Sequence, residues 1–173
     1  MASILNVDKV RRTGSTTDAI SISSSDHAII PGHTLQVQQA EISEATLTGD
    51  TTLATLTWTP RQSGSKVYAQ LYIPNVTGDA GQKAVFEIYV GPNSTYNDSA
   101  NTKVARNRVA LDGTGADETV TAFLCDFGNF TTSSTSTHYV FARFSHNTNT
   151  VVCRHGDGTS ATKGKLMVQE IAQ

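Results

Sequence analysis

The side chains best suited to chemistry are few and scattered. Five histidines (His27, His33, His138, His146 and His155) and two cysteines (Cys125 and Cys153) are the only imidazoles and thiols in 173 residues. His146, Cys153 and His155 lie close together, and Cys153 and His155 share one face of an extended segment. Imidazole and thiolate both ligate zinc. Two ligands from one strand face fall short of a site, and the cysteines fit no zinc spacing. They read as a buried thiol beside a solvated imidazole. Gly156-Asp-Gly-Thr-Ser160 and Asn97-Asp98 offer oxygens to calcium but lack the regular acidic spacing of a calcium loop. No metal and no cofactor is expected.

Catalytic motifs are equally scarce. Gly-x-Ser-x-Gly, the P-loop and His-Glu-x-x-His are absent. Asp112-Gly-Thr-Gly115 has no following lysine and helix, so it reads as a tight turn. Catalysis needs an acid, base or nucleophile held by supporting groups. Nothing here converges on such a set, and an enzyme is not expected. The sequons at Asn75, Asn93, Asn97 and Asn129 arise by chance in a chain this rich in Asn, Ser and Thr.

Charge excludes other classes. A net charge of −2 gives no basic footprint for nucleic acid and no acidic tail. No apolar run approaches the roughly 20 residues of a membrane span, so no membrane insertion is expected. The opening Met1-Ala-Ser-Ile-Leu-Asn-Val-Asp-Lys-Val10 lacks the basic leader and apolar core of a signal peptide. Synthesis and folding in a cytoplasm follow as the expectation. In that reducing compartment Cys125 and Cys153 read as buried thiols, or as a pair if their strands are adjacent.

The elements that position these residues alternate strand and turn. Residues 4–10 and 19–23 read as strands around a Gly14 turn. This piece is too small to hold a core alone and must dock on something. Ser23-Ser-Ser-Asp26 reads as a hinge, and Pro31-Gly32 opens the main domain. Strands are then expected over 35–42, 53–58, 67–73, 84–90, 104–111, 119–127, 139–144, 151–155 and 166–171. The apolar parity of 35–42 changes near Gln38-Gln39, which suggests a bulge or break. Polar loops are expected at 93–101, 131–137 and 156–162. With no helical stretch, this spacing argues for an all-β protein, an antiparallel jelly-roll-like β-sandwich with a short N-terminal extended arm. The division is 1–30 for arm and hinge and 31–173 for the sandwich.

Side chains alternate across a strand, so each strand has two faces. In 67–73 one face carries Val67, Ala69, Leu71 and Ile73, and the other Tyr68, Gln70 and Tyr72. In 84–90 Ala84, Phe86, Ile88 and Val90 oppose Val85, Glu87 and Tyr89. In 139–144 Val140, Ala142 and Phe144 oppose Tyr139, Phe141 and Arg143. A free sandwich should show one apolar and one polar face per strand. The second faces here are too apolar for that, which points to a homo-oligomer interface through Tyr68, Tyr72, Tyr89, Tyr139 and Phe141.

Two parts of the chain resemble one protein class. Ile4-Leu-Asn-Val-Asp-Lys-Val10, Gly14-Ser-Thr-Thr and Ala19-Ile-Ser-Ile22 are similar to the short N-terminal motif of tailed-bacteriophage fibre and appendage proteins. Pro31-Gly-His-Thr-Leu-Gln-Val-Gln38, the stretch from Thr59-Pro60 to Ser65-Lys-Val-Tyr68, and Leu166-Met-Val-Gln-Glu-Ile171 resemble the β-sandwich modules at the ends of such proteins. The resemblance implies a virion structural protein, usually a homotrimer of jelly-roll domains. It also implies a role for the arm, in which Ile4, Leu5, Val7, Val10, Ile20 and Ile22 would anchor it to other virion proteins of tail or capsid. The large collar-binding region and shaft of long fibres are missing, which suits a short fibre, an adaptor or a capsid decoration protein. Host-surface glycan is a further expected partner, met by loop residues such as Tyr96, Asn97 and Asp157. The alternative is a soluble, lectin-like carbohydrate-binding module without particle attachment.

Overall fold

The computed structural model describes residues 32–78, 81, 83–110, 130–145 and 163–173 in full. It describes the backbone alone of 9–10, 20–22, 28–29, 118–124, 128–129, 146 and 151–153. Three short strands, β1 (Lys9–Val10), β2 (Ile20–Ile22) and β3 (Ala28–Ile29), pair antiparallel in one small sheet. β1 and β2 fall within the stretches 4–10 and 19–23 expected as strands, β3 is a further strand, and the expected Gly14 turn lies outside the described residues.

The main body is an all-β, antiparallel sandwich. In chain order its strands are β4 (Thr34–Ile42), β5 (Ala45–Leu47), β6 (Thr51–Trp58), β7 (Lys66–Gly78) and β8 (Lys83–Gly91). There follow β9 (Thr102–Ala110), β10 (Glu118–Leu124), β11 (Gly128–Thr131), β12 (His138–His146), β13 (Val151–Cys153) and β14 (Gly164–Ile171). The seven-stranded sheet runs β4-β14-β7-β13-β5, with β10 and β11 on the other side of β7. The four-stranded sheet runs β6-β12-β8-β9. The pairing is nested. First joins last (β4 with β14), then β6 with β12, β7 with β10 and β11, and β8 with β9.

One apolar cluster fills the space between the sheets. The alternation seen in sequence supplies it: Val67, Ala69, Leu71 and Ile73 from β7, Phe86 and Ile88 from β8, Val140 and Phe144 from β12, all fully buried. Each large side chain removed from water contributes about 1.5–3 kcal/mol. The Phe86 and Phe144 rings meet at 5.6 Å. Trp58, at the end of β6, crosses to Phe130 of β11 in an edge-to-face contact at 5.8 Å.

Several local expectations are corrected. The strand from Val67 does not stop at Pro74 but continues to Gly78. Pro74 falls where β14 has ended its pairing at Tyr72 and β13 begins at Thr77, so that side has no ladder bond to lose. The strand expected over 119–127 is β10, described to Leu124, and an unexpected strand, β11, follows it along the same side of β7. β5 has no counterpart among the expected strands.

The parity change in β4 is not a bulge at Gln38-Gln39. The register slips instead at Leu35, opposite Glu170/Ile171. Gln36 and Gln38 point inward because they serve a buried carboxylate, Glu170, which is 0% exposed. Glu170 accepts bonds from Gln36 Nε2 at 2.6 Å, Ser65 Oγ at 2.6 Å, Arg61 N at 3.0 Å and Gln62 N at 3.1 Å. Gln38 Nε2 donates in turn to Gln36 Oε1 at 3.2 Å. A buried charge is tolerated when its oxygens are fully bonded. Glu170 thereby locks β14 to the β6–β7 turn, where Gly64 takes a left-handed φ of 84°.

Candidate interaction surfaces

The two sheets present very different outer faces. On the four-stranded sheet the outward row is Arg143, Glu87 and Arg106, in register across β12, β8 and β9. Glu87 is only 6% exposed. Lys103 Nζ lies 2.6 Å from its Oε1 and Arg106 Nε 3.4 Å. The Tyr89 hydroxyl donates to its other oxygen at 3.1 Å.

The loop after β8 folds back over this face. Asn97 shapes it: its Oδ1 accepts from Ser99 N and Ser99 Oγ, and its carbonyl accepts from Ala100 N and Asn101 N. That turn throws the Tyr96 ring onto the sheet, 5.0 Å from Tyr89 and 5.8 Å from Phe141. The Arg143 guanidinium caps Tyr96 at 3.9 Å and donates to Thr52 Oγ1 at 2.9 Å. The Tyr96 hydroxyl donates to Asp98 at 2.6 Å. Burial, then this bond to a carboxylate, pushes the Tyr96 phenol well above its usual range. Burial likewise raises Tyr89. At the base of the loop the Asn101 carboxamide occupies the space where a Cβ on Gly91 would stand.

The outer face of the seven-stranded sheet has no such cover among the described residues. Val37 is 54% exposed and Tyr68 36%, the two exposed large apolar side chains among the described residues. In register between and beside them lie Gln39, Gln70, Tyr72, Met167, Gln169 and Ile171, from β4, β14 and β7. A shallow groove of about 190 Å³ runs between Gln39, Gln70, Tyr72, Lys165 and Met167. Charge sits at its margin, where Lys163 Nζ bonds Glu41 at 2.6 Å and holds that carboxyl below its usual range.

The residues singled out in sequence divide between these faces. Tyr68 and Tyr72 are on the open face. Tyr89, Tyr139 and Phe141 are on the other, and Tyr89 (5% exposed) and Phe141 (1%) are covered by the chain's own Tyr96. Tyr96 turns its ring inward, while Asn97 is exposed. Asp157 lies outside the described residues. Loops 92–101 and 131–137 share the end of the sandwich where Gly32 and Ala172 bond to one another. β14 begins at the other end, with Gly164 opposite Ile42.

Of the arm, Ile4, Leu5 and Val7 lie outside the described residues. Val10, Ile20 and Ile22 are on β1 and β2, described as backbone only. His27, Cys125 and His155 also lie outside, and for His146 and Cys153 the strand is described but not the side chain. Among the described residues no three His, Cys, Asp or Glu gather as a metal ion would need. No helix among them is long and apolar enough to cross a membrane.

Sequence reasoning places Glu87 and Arg143 only as outward charges. Their meeting is encoded by the shared outward parity of β8 and β12, but only the register reveals it.

No protein-family model matches the chain, and no curated protein matches it. Among solved structures it is similar to a chain of infectious bursal disease virus, Gt strain, at 13% identity and a TM-score of 0.35, over 95% of this chain and 43% of that one. A chain of the Gx strain of the same virus gives 12% identity and a TM-score of 0.30, over 95% and 42%. The chain thus spans less than half the length of either. At these scores the likeness carries no argument about function.

Proposed function

We propose that the chain is a structural protein of a tailed-phage virion, a homotrimeric jelly-roll sandwich displayed on the particle surface. It is a short tail fibre, an appendage or a capsid decoration. Its arm, within residues 1–30, anchors it to tail or capsid proteins, and the sandwich over 31–173 helps the particle attach to host-surface glycan. The nested pairing of first strand with last supports the jelly-roll reading.

One observation carries assembly: the open face bearing Val37, Tyr68, Tyr72 and Met167, on a molecule that covers its other face itself. Partly apolar and aromatic, such a face suits burial against another copy of the chain. In a threefold ring it meets a different patch of its neighbour, since only twofold contacts are self-matching. The particle and the arm's role come from the sequence resemblance.

Light scattering tests the trimer: three chains per particle in solution are expected, and a stable monomer at micromolar concentration ends the proposal. Deleting residues 1–23 tests the arm. The shortened chain should still trimerise yet be missing from particles. Unchanged incorporation refutes anchoring.

A further inference from the structure

A pocket of about 360 Å³ opens between the two sheets at the β9–β11 edge. It lies across the width of the sandwich from β4, where the chain arrives. Its size is that of a small-molecule site, at the small end of the range of about 300–1,000 Å³. One wall is apolar, with Val90, Val104 and Phe130. Thr102, Thr131 and His138, which carry hydrogen-bonding side chains, also line it. Among the described residues no carboxylate, ammonium or guanidinium lines it.

Two of these groups are held in place. Phe130 and His138 both rest on the buried Trp58 indole, at 5.8 and 5.9 Å. His138 Nδ1 lies 2.6 Å from the Ser136 carbonyl. A carbonyl only accepts, so Nδ1 carries a proton, and in the singly protonated ring that leaves Nε2 as an acceptor. Behind the walls, two polar groups have no partner among the described residues: the Trp58 Nε1–H, fully buried, and the Asn101 carboxamide, 9% exposed and next to the lining residues Ala100 and Thr102. Buried polar groups nearly always find a partner, in protein or in ordered water.

We infer that this pocket binds a neutral pyranose, the terminal sugar of a glycan. Such a ring has an apolar C–H face for Phe130 and hydroxyls for Thr102, Thr131 and His138 Nε2. It carries no charge, which matches a described lining without carboxylate, ammonium or guanidinium. Prior fixing of Phe130 and His138 lowers the ordering cost of binding. The inference deepens the attachment part of the proposed function and rests on that reading only for where the glycan comes from.

The test uses the full chain and saturation-transfer NMR with methyl glycosides of glucose, galactose, mannose and N-acetylglucosamine. Methyl glycosides of glucuronic and sialic acid serve as the charged comparison. At least one neutral glycoside should bind and the charged ones should not. His138→Phe keeps a ring against Trp58 and removes Nε2, and it should weaken binding about tenfold, which is about 1.4 kcal/mol. Thr131→Val removes one exposed hydroxyl and should weaken it several-fold. This second variant gives the answer if the first does not fold, as judged by circular dichroism. Absence of binding by every neutral glycoside at millimolar concentration overturns the inference. So does equal binding of the charged sugars, or unchanged binding by a folded variant. Particle incorporation is read separately, so a pocket that fails leaves the anchoring result standing.

Discussion

The outer faces of the two sheets have similar raw material and opposite fates. Both carry tyrosines at outward positions of a central strand, Tyr68 and Tyr72 on β7, Tyr89 on β8. On the four-stranded sheet the loop between β8 and β9 supplies Tyr96 as a lid, and Arg143 holds the lid down. Glu87 sits beneath it, bonded to cations and to a phenol. On the seven-stranded sheet Val37 and Tyr68 stay in the open. An apolar second face therefore has two meanings. It can be an intramolecular core made by a loop, or a surface left for another molecule, and residue type alone does not separate them.

The sharpest way to break this contrast is to remove the lid. Tyr96→Ala uncovers Tyr89 and Phe141 and leaves Arg143 without its ring. Loss of a largely packed aromatic side chain should cost about 2–4 kcal/mol in urea unfolding. If the midpoint does not move, the lid is decoration and the two faces are alike. Gly91→Ala attacks the same loop from below, because the new methyl must displace the Asn101 side chain. Overpacking of this kind should cost about 1–3 kcal/mol by the same measurement.

Alkali sharpens the contrast without mutation. Tyr96 and Tyr89 have raised phenol ionisation in the folded state. A raised folded value means stability that is whole below the unfolded pKa of about 10 and falls as pH rises through and beyond it. Ultraviolet titration should therefore find the two lidded phenols resisting ionisation until the chain unfolds. A single transition of all five tyrosines near pH 10, with the fold intact, would count against the lid.

On the open face the smallest change in fold stability is expected. Val37→Ser and Tyr68→Ser alter sheet-surface positions, 54% and 36% exposed, so the unfolding free energy of the isolated subunit should fall by no more than about 1 kcal/mol. The same pair should shift the molecular mass by light scattering from trimer to monomer. A trimer that survives both substitutions places its contacts elsewhere.

Much of the framework is legible in the sequence. β7, β8 and β12 announce their faces by strict alternation, and the inner set in each is buried as expected. The limits of legibility have physical causes. Pro74 looks like a stop because proline lacks an N–H, and only the sheet order shows that no partner waits there. Gln36 and Gln38 look like a disturbed strand because their partner, Glu170, is distant in sequence. Tyr96 looks like surface because its loop is polar, and its turn onto Phe141 depends on β12, a strand made much later in the chain. Alternation reads one strand at a time, whereas lids and buried carboxylates join several.

The position of β14 governs the order in which this molecule can fold. Among the described residues β4 pairs with no strand but β14, and the Gln36–Glu170 bond spans 134 residues. Until residues 164–171 leave the ribosome, β4 has no pairing strand among the described residues and one long edge of β7 stands open. Contacts this distant form slowly, and exposed edges invite wrong pairing meanwhile. The sandwich is shut from its C-terminal side, so the interval between making β4 and making β14 is the period in which the nascent chain most needs protection.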